Sequence, residues 1–222
     1  MQYSRYITQV ATRALDPAQE DAGLAALRLE VGKREARRMS GLGMLLHRVM
    51  EGIDIGQHPR VIYTTTYTES RFIERFLESF PQPSPMMFQS SIHPGGVEQV
   101  LIQRQQAVRD FIPLAGQEGL IASALDHALL PDGVPVLWLG GEERATWLTE
   151  LELASDHSFA YALALSDKPE GALGEIRWER ESETTDTQLL LHPAWFQALA
   201  ARESGVWNLP EGGTLHLQWH TR

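Results

Sequence analysis

The strongest constraint on the fold is an alternation of extended and helical segments between residues 60 and 165. Residues 60–67 are rich in β-branched and aromatic side chains, which favour strands. Residues 69–80 follow with Phe72, Ile73, Phe76, Leu77 and Phe80 on one helical face. Further on, residues 135–139 and 158–165 are predicted to be buried strands. Strands that alternate with helices predict a mixed or parallel sheet with helices on its faces.

The remaining elements follow from periodicity and from turn residues. Further helices are predicted at residues 17–51, 97–103, 120–130 and 192–201, and further strands at 108–115, 173–179 and 214–219. Pro81, Pro83 and Pro85 predict an extended connector. Gly140 and Gly141 are expected to end the strand at 135–139, and Trp138 within that strand is expected to lie in the core.

Length and charge narrow the class of protein. The 222 residues favour one large α/β domain over residues 1–222. A formal net charge of −10 repels phosphate backbones and anionic lipid, so we expect neither a nucleic-acid nor a membrane partner. The dense basic run at residues 33–38 is interpreted as a solvated helix face. The N-terminus lacks the pattern of a secretory signal, and we expect a cytoplasmic protein.

The chain contains no cysteine, which excludes disulfides, thiolate metal sites and thiol nucleophiles. Its eight histidines are scattered, without a His-Glu-x-x-His pair. His216 and His220 could chelate weakly, but ordinary strand and tail residues are the favoured interpretation. No serine lies in a Gly-x-Ser-x-Gly pattern, and no phosphate-binding loop is present. The sequence therefore predicts no metal site and no cofactor.

One turn resembles the turns between a strand and a helix on which many α/β enzymes carry a catalytic nucleophile. The strand predicted at 108–115 passes through a small-residue turn into the helix predicted from residue 120. Such a turn exposes a side chain beside the N-terminal amides of a helix. Here the exposed position holds Gln117, whose amide is not a nucleophile. The alternative is that Gln117 is a residue near the helix start with no role.

Several segments together resemble a known family. Arg37-Arg-Met-Ser40, Pro83-Ser-Pro85, Phe88, Ser91-Ile-His93, Ala115-Gly-Gln117 and Pro135-Val-Leu-Trp-Leu-Gly-Gly-Glu142 resemble, in order and spacing, the N-terminal half of β-ketoacyl synthases. The likeness is greatest to short chain-length-factor-like subunits of aryl polyene and type II polyketide gene clusters, and it covers roughly residues 35 to 165. It implies a truncated thiolase-like α/β fold: one ketosynthase N-terminal half, a mixed sheet flanked by helices, and an abbreviated, divergent C-terminal part at residues 166–222.

The resemblance also implies a function. Gln117 takes the position of the catalytic cysteine, as in chain-length factors, and residues 166–222 show no counterpart of the half that carries the two catalytic histidines. The implied protein is a non-catalytic partner of an active ketosynthase, with no catalytic residue of its own. It would form a heterodimer and shape the acyl tunnel while polyketide or polyene chains are elongated on an acyl carrier protein. That carrier protein would be contacted mainly through the ketosynthase.

The same resemblance nominates interface and tunnel residues. The strand from Val108 to Ala115 would pair with the partner, and Val108, Phe111 and Ile112 are its interface candidates. The following residues of the preceding helix are the tunnel candidates: Val97, Val100, Leu101 and Arg104.

Two alternatives remain open at the level of the sequence. One is a small acyl-transferring or hydrolytic enzyme that uses Glu118 or His93, although exposed helical carboxylates such as Glu118 and Asp126 are usually only solvated. The other is a scaffold protein that binds carrier protein and has no role in chain length. The acidic charge opposes this second alternative, because carrier proteins are typically acidic as well.

Overall fold

The computed structural model describes residues 2–37, 39–54, 56–180, 190–209 and 213–220. Its strands are β1 (Gln2–Ala14), β2 (Arg60–Thr65), β3 (Asp110–Ala115), β4 (Val136–Glu142), β5 (Phe159–Ser166), β6 (Gly174–Glu179), β7 (Gly205–Asn208) and β8 (Thr214–Trp219). Its α-helices are α1 (Glu20–Val31), α2 (Lys33–Ala36), α3 (Gly41–Met50), α4 (Ser70–Glu78), α5 (Pro85–Ser91), α6 (Gly95–Gln103), α7 (Leu120–Ala128), α8 (Trp147–Glu150) and α9 (His192–Ala201). A short 3-10 helix at Pro17–Gln19 precedes α1.

The strands form one mixed sheet in the order β3-β2-β4-β5-β1-β6-β8-β7. The β2 strand is parallel to both β3 and β4, and the remaining pairs are antiparallel. This arrangement confirms the mixed sheet predicted from the alternation of elements. The two strands and the helix predicted after residue 166 are also confirmed, and the two strands extend the same sheet. Within the described residues, no helix combines the length and apolarity needed to cross a membrane.

Helices cover both faces of the sheet. On one face α3 and α6 bury their apolar residues, among them Leu45 and Val97, against β2, β4 and β5. On the other face α7 and α9 pack on the same strands, and Trp195 of α9 stacks on Trp138 of β4 with ring centroids 5.2 Å apart. The predicted core position of Trp138 is confirmed, since its side chain is fully buried.

Two predictions about backbone course were wrong. The segment at 17–51 is not one helix, because Gly32 adopts φ +96° and separates α1 from α2. Pro85 does not continue an extended connector but begins α5, where its fixed φ suits the first helical turn. The hydroxyl of Ser84 caps that helix by accepting from the Met87 amide at 3.4 Å.

The glycine pair at the end of β4 was also interpreted wrongly. Gly140 and Gly141 lie inside the strand, which continues to Glu142. A Cβ atom on Gly140 would lie 2.3 Å from the Tyr161 hydroxyl, and one on Gly141 would lie 2.4 Å from the Phe159 carbonyl oxygen. Glycine therefore serves close packing against β5 at these positions and does not mark a strand end. The long strand β1, absent from the sequence-based prediction, occupies the centre of the sheet.

Candidate functional site

Gln117 lies on the connection between β3 and α7. That connection contains two glycines with positive φ, Gly116 at +146° and Gly119 at +70°, a backbone that other residues rarely adopt. The helix begins at Leu120, three residues after Gln117. The Gln117 side chain is exposed, and its Nε2 donates to the Tyr67 hydroxyl oxygen at 3.2 Å. An amide is thus presented at the carboxyl end of the edge strand and held there by a phenol.

The turn that carries Tyr67 donates hydrogen bonds to a buried carboxylate. Glu142, at the end of β4, accepts from the amides of Thr66 at 2.5 Å and Tyr67 at 3.2 Å, and from the Thr65 hydroxyl at 3.3 Å. Partial burial, with the nearby Glu142 charge, raises the pKa of the Tyr67 hydroxyl. Tyr67 is therefore a neutral hydrogen-bonding partner of Gln117 at physiological pH.

Behind this turn lies a buried network that the sequence did not predict. Oε1 of Glu142 lies 2.5 Å from Nδ1 of His192, the first residue of α9. The other ring nitrogen of His192 lies 3.0 Å from the Tyr161 hydroxyl, which is 2.7 Å from the Thr64 hydroxyl. Burial raises the pKa of Tyr161 far above its ordinary value. These side chains are buried and join elements of the core.

The edge of the sheet is open beside Gln117. β3 pairs with β2 along its length, and no described strand pairs with its other edge. Pro113 lies in β3, and proline is confined to edge strands because it lacks an amide donor. Val108 and Phe111 are half-buried and line a surface groove of about 400 Å³ together with Leu101. Ile112 is half-buried and packs against the core on the other face of the sheet, which α7 and α9 cover.

The nominated residues of α6 divide between core and surface. Val97 and Val100 are fully buried and pack in the core beneath α3, whereas Leu101 borders the groove beside β3. Arg104 donates to the carbonyl oxygens of Met50 at 2.6 Å and Ile53 at 3.3 Å. Its guanidinium thus caps the C-terminal end of α3.

A patch of exposed apolar side chains lies on α4, α5 and their flanks. In α4 the buried residues are Ser70 and Glu74, so its apolar face is only half-buried or exposed. Phe76 contacts the rings of both Phe80 and Phe88 at about 5 Å. The exposed members of this apolar patch are 42% to 72% accessible: Leu77, Phe80, Met86, Phe88 and Ile92. An apolar patch of this kind indicates an interaction surface.

The residues proposed for an enzyme do not form a catalytic group. Glu118 is exposed on the turn after Gln117, and Asp126 pairs with Arg180 at 3.2 Å. The His93 ring stacks on Tyr63, and burial lowers the pKa of this histidine, which makes it neutral. His216 lies 3.8 Å from Glu179 on β6. Among the described residues, no cluster of three or more histidines and carboxylates is placed to hold a metal.

The similarity of this chain to known proteins is found in its structure. No protein-family model matches the sequence, and no curated protein sequence matches it. Among solved structures, a chain from the complex of the ketosynthase ApeO with its chain length factor ApeC from Xenorhabdus doucetiae superposes with a TM-score of 0.68 and 15% identity, over 97% of this chain and 99% of that chain. A chain of the ishigamide ketosynthase/chain length factor superposes with a TM-score of 0.61 and 13% identity, over 78% of this chain and 65% of that one.

The fold therefore belongs to the thiolase-like α/β class, which confirms the fold predicted from the sequence. Within that class, the chain has the fold seen in complexes of a ketosynthase with a chain length factor.

Proposed function

We propose that this protein is a non-catalytic, chain-length-factor-like subunit that pairs with an active ketosynthase in the cytoplasm. The proposal rests on two features that occur together. The edge strand β3 is open, and it leads into a turn before a helix where the exposed position holds the amide of Gln117. Similarity over 99% of a chain from a ketosynthase complex with its chain length factor supports the same assignment.

The chemical requirements of condensation support a site without catalytic activity. Claisen condensation needs a thiolate to carry the acyl chain, and imidazoles to assist decarboxylation and stabilise the developing oxyanion. This chain contains no cysteine, and Gln117 offers a neutral amide already hydrogen-bonded to Tyr67. All bond-making therefore belongs to the partner.

The surface around β3 suits a protein partner. Its free edge exposes backbone donors and acceptors that a strand of the ketosynthase would satisfy. The apolar patch on α4 and α5 adds surface of the kind that interfaces bury. The groove lined by Leu101, Val108 and Phe111 lies beside that edge, where it would contribute a wall of the acyl tunnel. The growing polyketide or polyene chain would be delivered by an acyl carrier protein, contacted mainly through the ketosynthase because this chain is itself acidic.

The test is reconstitution with the ketosynthase encoded beside this protein. Co-expression should give a stable 1:1 complex, and mass spectrometry should detect a different distribution of product lengths with and without this subunit. A complex whose products are unchanged would support a scaffold instead. A monomer that ignores the ketosynthase would contradict the proposal altogether.

A further inference from the structure

The N-termini of α3 and α6 meet in the core at two glycines. A Cβ atom on Gly43 of α3 would lie 3.5 Å from Cα of Gly96 of α6. The hydroxyl of Ser40, which accepts from the Gly43 amide at 2.8 Å, would lie 3.3 Å from a Cβ atom on Gly96. The two helix ends are therefore in close contact, and at Gly96 a Cβ atom would also lie 2.7 Å from Oε1 of Glu69, so this position requires glycine.

Each of these helix ends is held by a glutamate from elsewhere in the chain. Oε1 of Glu69, just before α4, accepts from the Gly96 amide at 2.8 Å. Oε1 of Glu143, just after β4, accepts from the Gly41 amide at 3.2 Å. Both carboxyls are 0% to 1% exposed, so these are buried contacts between distant segments. Carboxyl oxygens satisfy amides that the first turn of a helix leaves without partners.

The second oxygen of each carboxyl has no such partner. Oε2 of Glu69, Oε2 of Glu143 and the Tyr63 hydroxyl are buried without a hydrogen-bond partner among the described residues. Leaving a charged oxygen in that state is costly. Burial accordingly raises the pKa of Glu69 to about 7, and burial together with the Glu69 charge raises the pKa of Glu143 to about 8.

We propose that Glu69 and Glu143 are positioning residues that clamp the N-termini of α6 and α3 side by side and so fix where α6 lies against the groove beside β3. Leu101, which borders that groove, follows the clamped Gly96 in the same helix. The consequence for the acyl tunnel rests on the proposed function, whereas the clamp itself does not.

The clamp depends on protonation because both carboxyls are buried and the charge of Glu69 acts on Glu143. When both are ionised, two buried charges repel each other and each leaves an oxygen unsatisfied, which favours opening of the helix ends. Arg71 and Arg75 on α4 oppose this effect at Glu143, whereas the charge of Glu98 on α6 adds to it at Glu69. Tyr63 on β2 also faces the pair, since the charges of both carboxyls act on its hydroxyl, and its ring stacks on that of His93.

Hydrogen–deuterium exchange of the full chain tests the clamp without the ketosynthase. After correction for intrinsic exchange, protection of the α6 amides should fall by about fivefold between pH 6 and 7, because opening releases the proton that the folded state still holds on part of Glu69. Glu69→Gln keeps an acceptor for Gly96 but does not titrate, so this dependence should weaken in that variant and vanish when Glu143→Gln is added. The matched control Glu170→Gln changes an exposed glutamate and should retain it.

Protection that is independent of pH in the unmodified chain, or equally dependent in Glu69→Gln, would overturn the clamp. The link to the tunnel is measured in the reconstituted complex, where Glu69→Ala, which removes the acceptor for the Gly96 amide, should alter product lengths by mass spectrometry while the complex still assembles. Unchanged lengths in an assembled complex would overturn that link. A clamp detected by exchange in a chain that binds no ketosynthase would contradict the proposed function and leave the clamp standing.

Discussion

Nδ1 of His192 lies 2.5 Å from Oε1 of Glu142, and both side chains are 1% exposed. This contact joins α9, from the C-terminal part of the chain, to the end of β4. The same carboxylate holds the Thr66 and Tyr67 amides, and Tyr67 in turn meets Gln117. The C-terminal part therefore supports the geometry of the candidate site through His192.

Removal of this imidazole should destabilise the protein. We expect His192→Ala to lower the free energy of unfolding by roughly 3 kcal/mol, because Glu142 and Tyr161 each lose one of their buried hydrogen-bond partners and a cavity replaces the ring. Urea denaturation measures the loss. His157→Ala is the matched control, since that ring is 55% exposed and its removal should change stability by less than about 0.5 kcal/mol. Equal effects of the two substitutions would show that the buried contact contributes no more to stability than an exposed histidine does.

Stability should fall as pH rises from 6.5 to about 8. Glu69 and Glu143 have folded-state pKa values of about 7 and about 8, above the ordinary value near 4.5, so the folded state retains protons that the unfolded state has released. Their contribution is full below the ordinary pKa and is lost as pH passes the raised values. Buried His47 and His93, whose pKa values are lowered, act in the opposite direction, because the unfolded state loses their protons near pH 6.5, and this contribution is nearly complete one pH unit higher.

The expected loss across that window is on the order of 2 kcal/mol. Urea denaturation at intervals of half a pH unit measures it. The double variant Glu69→Gln and Glu143→Gln should flatten the profile. A profile that is already flat in the unmodified chain would mean that these carboxyls titrate normally.

How much of the fold and of the candidate site could be predicted depended on how far apart in the sequence the interacting residues lie. The parallel strands β2 and β4 follow from local runs of apolar and β-branched residues, and the turn at Gln117 follows from its small neighbours. β1 escaped prediction because its alternation is interrupted by polar residues such as Arg5, a buried side chain that pairs with Asp132 and Asp167. Only tertiary structure supplies those partners.

The buried glutamates escaped prediction for the same physical reason. Glu143 meets Gly41 across 102 residues, and Glu142 meets His192 across 50. The two carboxylates Glu142 and Glu143 at the end of an otherwise apolar strand were the one local signal, because charges in that place require buried partners. The sequence contains that signal but does not identify the partner.

The isolated chain should form no acyl adduct. Incubated with malonyl and acyl carrier protein thioesters, it should keep its mass in intact mass spectrometry, because it has no thiol. Gln117→Cys is the informative companion. Its thiol would stand at an exposed position and should become acylated if the turn still receives the chain. Acylation of the unmodified chain would contradict the non-catalytic assignment.

A charge on the open edge of the sheet should prevent assembly. Ala115→Lys, at the exposed end of β3, should weaken the complex with the ketosynthase at least tenfold, because an unpaired charge would be buried in the interface. Ile112→Lys should do the same, but its half-buried site requires a check by circular dichroism that the variant folds. Val206→Lys lies on the opposite edge strand, β7, and should leave affinity unchanged. Equal losses at both edges would disprove a specific role for β3.

Chain length should respond to the one tunnel candidate on α6 that borders the groove. Leu101 lies at the edge of the core and lines the groove with Val108 and Phe111, whereas Val100 is fully buried, so Val100→Trp should overpack the core and destabilise the fold. Leu101→Ala enlarges the groove and should permit longer products, and Leu101→Trp fills it and should shorten them. Mass spectrometry of products from complexes shown to assemble measures both shifts. Opposite shifts at one position cannot result from a general loss of stability, which would lower yield in both variants. Identical length distributions would mean that Leu101 does not limit the chain, and that this subunit stabilises the ketosynthase without determining product length.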